Sequence, residues 1–338
     1  MVTVVKQSIG RRLLIVHNPV SGWPLAGWFR RRLLDRVIAL LRQSGATVVL
    51  RRTAARGDAE RFARAARTEG FERVVVAGGD GTINEVANAL AGSPLPLAIV
   101  PLGTANVLAA EIGLGGRAAQ IAQAILDGQP VRVSLGQVGE RRFVMMAGIG
   151  FDAKVVCAVD PQAKRWLGKL AYVAAMLAQL WRFRPRLYAV TADGRRFEAG
   201  SVIVAKGRHY AGNFVCAPDA RLDDAGFQVC LFRASSRLAI LHYAFALALG
   251  RLHRLDDVTI VAARSVVVEP PMDQSGGDGA RAESMQAEPV QGDGDIVGRL
   301  PARIAVLPQA LTLIVPAHSV LGGAALASAG PIRLAAGD

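Results

Sequence analysis

Arg73-Val74-Val75-Val76-Ala77-Gly78-Gly79-Asp80-Gly81-Thr82-Ile83-Asn84-Glu85-Val86 is the stretch that decides how this chain folds. A β-branched apolar run predicts a buried strand, and glycines interrupt it before helical spacing resumes at Ile83, Val86, Ala87 and Leu90. Glycine lets backbone come close to a ligand, the N–H groups at a helix start are unpaired, and the helix dipole favours an anion. Phosphate therefore suits this turn. A carboxylate beside a polyphosphate is repulsive unless a divalent cation lies between them, so Asp80 points to Mg²⁺ carried with a nucleotide. Taken alone, the same residues also describe an ordinary strand–turn–helix with a capping Asp, because glycine-rich βα turns are common. A surface-turn carboxylate at Asp80 is expected to contribute little to stability.

The flanks repeat the pattern. Strands are predicted at Arg11–Val16, Thr47–Leu50 and Leu95–Val100, with a helix over Arg30–Gln43 and Asp58 as the N-cap of the next. Strands alternating with helices imply a parallel sheet covered on both faces, whose loops at the carboxyl ends share one crevice. Polar turns around Asn18, Asp80 and Thr104 would meet there. This nucleotide-binding α/β domain spans 10–130.

From Val131 to residue 316 the texture changes to short alternating runs, with Asp193-Gly194 a hairpin turn. A second, mostly antiparallel β domain is expected. Its strands include Phe197–Ala205, Gln228–Phe232, Arg303–Leu307 and Leu311–Val315, and its helices are Trp166–Phe183 and Leu238–Leu249. Residues 270–289 lack periodicity and read as a mobile loop, and 317–338 as a tail that could dock on the first domain.

A net charge of +13 and a pI near 10.7 favour polyanionic partners. With aromatics at only 6% and no zinc-finger or RNA-binding signature, nucleic acid is the weaker explanation and an anionic membrane surface the stronger. Cys157, Cys216 and Cys230 form no CxxC pair, which argues against a disulfide framework or a zinc site. The two apolar stretches are too short or too interrupted to span a bilayer comfortably, and no signal-peptide pattern opens the chain. A cytoplasmic protein, peripheral at the inner face of the membrane, is expected. Exposed edge strands of the second domain are candidates for pairing into a homodimer.

Gly78-Gly79-Asp80-Gly81-Thr82-Ile83-Asn84-Glu85 and Pro101-Leu102-Gly103-Thr104-Ala105-Asn106 together resemble the soluble bacterial diacylglycerol kinase family, which also contains sphingosine and ceramide kinases. The resemblance extends to Asn18-Pro19, Ser21-Gly22, Thr53 with Gly57-Asp58-Ala59, the run Ala217 to Asp224, and Asp293-Gly294-Asp295. It implies a doubly wound domain of NAD-kinase and phosphofructokinase type plus a β-rich, sandwich-like lipid-binding domain. The implied activity is Mg²⁺- and ATP-dependent phosphorylation of the hydroxyl of a membrane lipid such as diacylglycerol, ceramide or a sphingoid base. On that resemblance Asn18, Thr53, Gly79, Asp80, Gly81, Thr82, Asn84, Glu85, Gly103 and Thr104 line the ATP site, and Asp80 acts near the catalytic Mg²⁺. Asp293 and Asp295 share the roles of general base and supporting group, and a structural Mg²⁺ sits at Asp224 with backbone carbonyls of Arg221 and Gly226.

Two positions depart from the family pattern. Val107 stands where an Asp is usual, and Asp295 is one methylene shorter than the usual Glu. These departures motivate a rival reading, a lipid-binding regulatory protein without turnover, beside an NAD-kinase-like activity on a soluble substrate. Lys206 or Arg208 could contact phosphate, although solvated basic residues are commoner. Gly148-Ile149-Gly150-Phe151-Asp152-Ala153 fits GxGxxA, but reads as a structural turn because the following segment lacks a clear helix with an acidic strand end roughly 20 residues on.

Overall fold

The computed structural model describes residues 11–22, 27–159, 169–270 and 288–321. Its first half alternates strictly: β1 (Arg12–His17), α1 (Gly27–Gln43), β2 (Thr47–Arg52), α2 (Asp58–Ala66), β3 (Arg73–Gly78), α3 (Asp80–Leu90), β4 (Leu97–Pro101), α4 (Val107–Glu111) and α5 (Ala118–Asp127). The strands lie in the order β2-β1-β3-β4, all parallel, with Leu14 beside both Val49 and Val74. Successive side chains face opposite layers. Leu14, Val16, Val74 and Val76 pack with Ala63, Val86 and Leu108, while Leu13, Ile15, Val75 and Ala77 pack with Leu34, Leu41 and Ile121. Burial on both faces explains why these strands are apolar without interruption. The chain leaves β1 toward β2 on one side and returns past it to β3 on the other. The carboxyl ends of β1 and β3 therefore flank the topological switch point, where ligands bind in such sheets.

The second half begins with the hairpin β5 (Gln129–Val138) and β6 (Arg141–Phe143), then β7 (Met146–Ile149), α6 (Phe151–Ala158) and α7 (Lys169–Trp181). There follow β8 (Tyr188–Ala192), β9 (Arg195–Ala199), β10 (Ser201–Ala205), the small hairpin β11 (His209–Tyr210) with β12 (Phe214–Val215), and β13 (Phe227–Phe232). Then come α8 (Arg237–Ala248), β14 (Val258–Ala263), β15 (Ser265–Glu269), β16 (Pro289–Gly292), β17 (Asp295–Arg299) and β18 (Ala302–Val315). The order β14-β13-β10-β7-β16-β17 forms a second sheet. It faces β8, β9, β15 and the start of β18 across a core that includes Phe143, Val204, Val229, Val266 and Ile304. The α/β layers and the β-rich sandwich agree with the expected fold class.

The junction differs from expectation. The sequence suggests separate strands at Arg303–Leu307 and Leu311–Val315 inside the second domain, but β18 is one strand that serves both cores. Its later part pairs with β5 and, at Leu313, with Leu97 of β4, so that Leu311, Leu313 and Val315 pack in the first domain. Its earlier part pairs with β15 and packs in the sandwich. The register along β5 shifts between Leu307 and Leu311, where Gln309 takes a φ of 49°. Such a bulge bends a strand without ending it.

Smaller differences have local causes. Gly57, not Asp58, is the N-cap of α2; Asp58 Oδ2 instead accepts the amides of Ala54 and Ala55 at 2.8 and 3.0 Å, closing the turn before the helix. A helix does follow the GxGxxA stretch, yet a Cβ on Gly148 would lie 1.9 Å from Asp152 Oδ2, so side chains already fill that turn. Of the expected mobile loop, 271–287 fall outside the described residues. Glu288 is buried against Tyr188, Arg186 and Lys154, and Pro289 opens β16. The start of the expected helix at Trp166 also falls outside, as does 322–338, whereas Leu321 packs into the first core.

Because Leu313 is fully buried where both halves share β18, Leu313→Ala should cost about 2–5 kcal/mol. Urea unfolding followed by circular dichroism checks this.

Candidate active site

The loops at the carboxyl ends of β1, β3 and β4 close on one another through short backbone contacts. Asn18 donates its amide N–H to Ala77 O (3.0 Å) and its side-chain amide to Thr82 Oγ1 (2.9 Å). The Gly79 amide donates to Ser21 Oγ at 3.2 Å. Gly79 and Gly103 touch directly: a Cβ on Gly103 would sit 2.5 Å from Gly79 Cα. Only two residues without side chains can bring these turns together. Asn106, in the left-handed region at φ 51°, accepts the Gly103 amide at 2.8 Å and donates back to Gly103 O at 3.0 Å. The Thr53 loop is tied in by Thr53 N–H to His17 O (2.9 Å) and Gly57 N–H to Glu85 Oε2 (3.1 Å). Thr104 is half-buried in the same ring of loops.

Asp80 is not a free surface carboxylate. Its Oδ1 accepts the amide of Val107 at 2.8 Å, so it caps the start of α4 from across the turn. Burial pushes the Asp80 carboxyl above its ordinary range, opposed by the amides of Val107, Leu108 and Asn106. The expectation that Asp80 matters little to stability is therefore corrected. Val107 supplies the amide that Asp80 accepts and sets its side chain against the first-domain core.

Thr82 and Asn84 face inward. Asn84 donates to Asp293 Oδ2 at 2.8 Å and to Arg142 O at 3.0 Å, and the neighbouring Asn88 also donates to Arg142 O. One helical turn beyond Asp80, α3 points at the second domain rather than at the crevice. A direct nucleotide contact by Asn84 does not fit that burial.

The two acidic residues of Asp293-Gly294-Asp295 have different surroundings. Asp293, at φ 51°, accepts the amides of Val144 (2.6 Å), Met145 (2.9 Å) and Met146 (3.0 Å) as well as the Asn84 side chain. Its oxygens are committed to holding α3 against β6 and β7, which makes it a positioning residue. Asp295 keeps 40% of its side chain exposed, lies 3.3 Å from Arg56 Nη2, and comes within 3.7 Å of a Cβ placed on Gly81. It is the carboxylate of this pair that faces the glycine turn.

The expected ion at Asp224 is replaced by a side chain. Carbonyls of Arg221, Asp224 and Gly226 do converge, but on Lys206 Nζ, at 3.0, 2.7 and 2.8 Å. An ammonium at that distance occupies the place of a metal and repels one, so the structural Mg²⁺ does not fit. Lys206 is correspondingly neither solvated nor aimed at phosphate.

Sequence reasoning passed over Arg56 and Glu111. Glu111, buried at the end of α4, accepts His209 Nδ1–H at 2.6 Å and the amides of Arg208 and His209 at 3.0 and 3.1 Å, tying the second glycine turn to β11. Nothing local marks it. Its partners lie about a hundred residues downstream.

Comparison with known proteins agrees with this architecture. Residues 12–138 match the diacylglycerol kinase catalytic domain, and residues 145–315 match the YegS C-terminal NAD kinase beta sandwich-like domain. The chain is 30% identical over 323 residues to a diacylglycerol kinase of Mycobacterium tuberculosis, covering 93% of this chain and 97% of that one. It is 28% identical over 313 residues to a diacylglycerol kinase of Bacillus subtilis, covering 90% and 97%. A crystal structure of a diacylglycerol kinase from Bacillus anthracis shares the fold with a TM-score of 0.70 at 22% identity, covering 91% of this chain and 98% of that one.

Replacing Asp293 by Asn points an N–H group at backbone donors and should cost about 1–3 kcal/mol for each donor left unpaired. Asp80→Ala should lose about 1–2 kcal/mol of capping. Thermal unfolding measures both, and a wild-type melting temperature for Asp293→Asn would remove it from the domain junction.

Proposed function

The chain belongs to the diacylglycerol kinase family and is a lipid kinase, and from that premise we propose that it transfers the γ-phosphate of Mg²⁺-ATP to the hydroxyl of a membrane lipid with Asp295 as base. One observation carries this reading: Asp295 is the part-exposed carboxylate beside the glycine turn, while Asp293 has no oxygen to spare. The amides of Gly81 and Thr104 suit the phosphates, those of Gly79 and Gly103 being taken by Ser21 and Asn106, with Asn18, Thr53 and Glu85 fixing the loops that present them. Phosphoryl transfer needs positioning and charge neutralisation more than covalent chemistry, with a carboxylate to accept the hydroxyl proton. Arg56 Nη2, 3.3 Å away, helps hold the Asp295 side chain in place.

The donor set suits a nucleotide-borne ion. Among the described residues no cluster of His, Cys, Asp or Glu could cage a metal, and Mg²⁺ ordinarily takes one or two carboxylates plus substrate phosphates. Asp80 and Asp295 flank the turn and would supply them. When bound, Mg²⁺ contributes neutralisation of phosphate charge.

The acceptor is read as a membrane lipid because of an exposed apolar face on the second domain. Trp181 on α7 is 81% exposed, and Leu238 and Phe245 on α8 are 79% and 65% exposed. The two helices touch, and the Arg237 guanidinium donates to Trp181 O at 2.7 Å. Exposed Arg182 and Arg184 follow α7 directly. An apolar face edged by arginine fits the interface of an anionic bilayer. No helix among the described residues is long and apolar enough to cross a membrane, so contact of this kind would be peripheral.

Labelled γ-phosphate should pass from Mg²⁺-ATP into a total-lipid extract, and Asp295→Asn should lower kcat about 10²–10⁴-fold with an unchanged melting temperature. Undiminished turnover by that variant would remove Asp295 as base, and a label recovered only in water-soluble product would exclude the lipid acceptor. Trp181→Ser combined with Phe245→Ser should weaken co-sedimentation with phosphatidylglycerol vesicles about tenfold. Equal sedimentation would show that this face does not meet the bilayer.

A further inference from the structure

Lys206 ends β10 with no solvent exposure at all. An ammonium has three protons and no acceptor, and here each proton has a backbone carbonyl: Arg221 O, Asp224 O and Gly226 O. Those carbonyls come from a single loop, which brings three oxygens inward around one positive charge. Three convergent backbone oxygens are otherwise what a hard divalent cation collects. Burying a cation is unfavourable unless it is paired and fully hydrogen-bonded. Burial lowers the Lys206 pKa to about 8, with Asp224 and Asp223 holding it up, so the side chain carries its charge at neutral pH.

The loop held by Lys206 joins the two halves of the molecule. Leu222 is fully buried in the first-domain core, and its carbonyl accepts the amide of Ser134 on β5 at 2.8 Å. Lys206 and Gly207 both donate amides to Met145 O, at 2.8 and 3.2 Å, and Met145 in turn donates to Asp293. The ammonium therefore anchors the loop on one side and the seat of Asp293 on the other.

We propose that Lys206 is a covalently attached substitute for a divalent cation. It organises the loop 217–226 and makes the domain junction independent of metal, and replacing it by a shorter side chain that carries an oxygen turns the same carbonyls into a divalent-cation site. The inference does not rest on the identity of the acceptor lipid.

The test is thermal unfolding of the full chain without nucleotide, in EDTA and in millimolar Mg²⁺ or Ca²⁺, with calorimetric titration of Ca²⁺ as a second readout. Wild type should melt at one temperature in all three solutions and titrate no ion at this loop. Lys206→Met, which keeps the length and loses the charge, should melt several degrees lower whatever the cation. Lys206→Asn, which opens space and adds an oxygen, should melt low in EDTA, recover in Ca²⁺ or Mg²⁺, and bind Ca²⁺ where wild type does not. A wild-type melting temperature that drops in EDTA would overturn the proposal. So would a Lys206→Asn protein that neither binds Ca²⁺ nor responds to it, or a Lys206→Met protein as stable as wild type. If Lys206→Asn fails to fold in EDTA, refolding it in Ca²⁺ gives the same decision: recovery supports the substitution of ion by ammonium, and failure in both refutes it.

Discussion

Amides of Val144, Met145 and Met146 and the side chain of Asn84 all converge on the carboxylate of Asp293, and the relation between the two halves of the protein depends on that convergence. A buried carboxylate is tolerable only when its lone pairs are used. Here the partners come from α3, which carries the glycine turn, and from the β6–β7 connection of the sandwich. Satisfying the charge and docking the domains are one event. Asp295 lies two residues further along the same loop, so its approach to Gly81 follows from the seating of Asp293.

A second constraint is steric. The turns that follow β3 and β4 are packed against each other at Gly79 and Gly103, and Asp80 binds the amide of Val107 just beyond. The turn that would receive phosphate and the turn that begins α4 are packed together as one unit. Catalysis by positioning requires such stiffness, since phosphoryl transfer gains most from fixed donors aimed at developing charge. Val107 is consistent with this design: the backbone amide carries the contact, and the side chain adds to the core.

Buried charge is managed by the protein's own groups. Glu111 is matched by His209 and two amides, Glu288 by Tyr188, Arg186 and Lys154, and Lys206 by three carbonyls. Each pairing links segments distant in sequence, and each sits where one layer meets another. The sandwich is thus held by a few saturated ionic nodes as well as by its apolar core.

Local chemistry made much of this legible in advance. The uninterrupted apolar strands, the glycine turns, the Asp193-Gly194 hairpin and the change of texture at Val131 reflect short-range rules of period and turn geometry, and these hold whatever the rest of the chain does. The resemblance carried by the turns at Asp80 and Thr104 was likewise readable from residues alone. Roles that depend on partners far along the chain were not. Sequence could not separate Asp293 from Asp295, because the difference lies in amides about 150 residues away. Nor could it show that β18 serves two cores, that Asn84 turns inward, or that Lys206 fills the place of an ion. Spacing determines which way a side chain leaves its own element; what it meets there is decided only when the layers close.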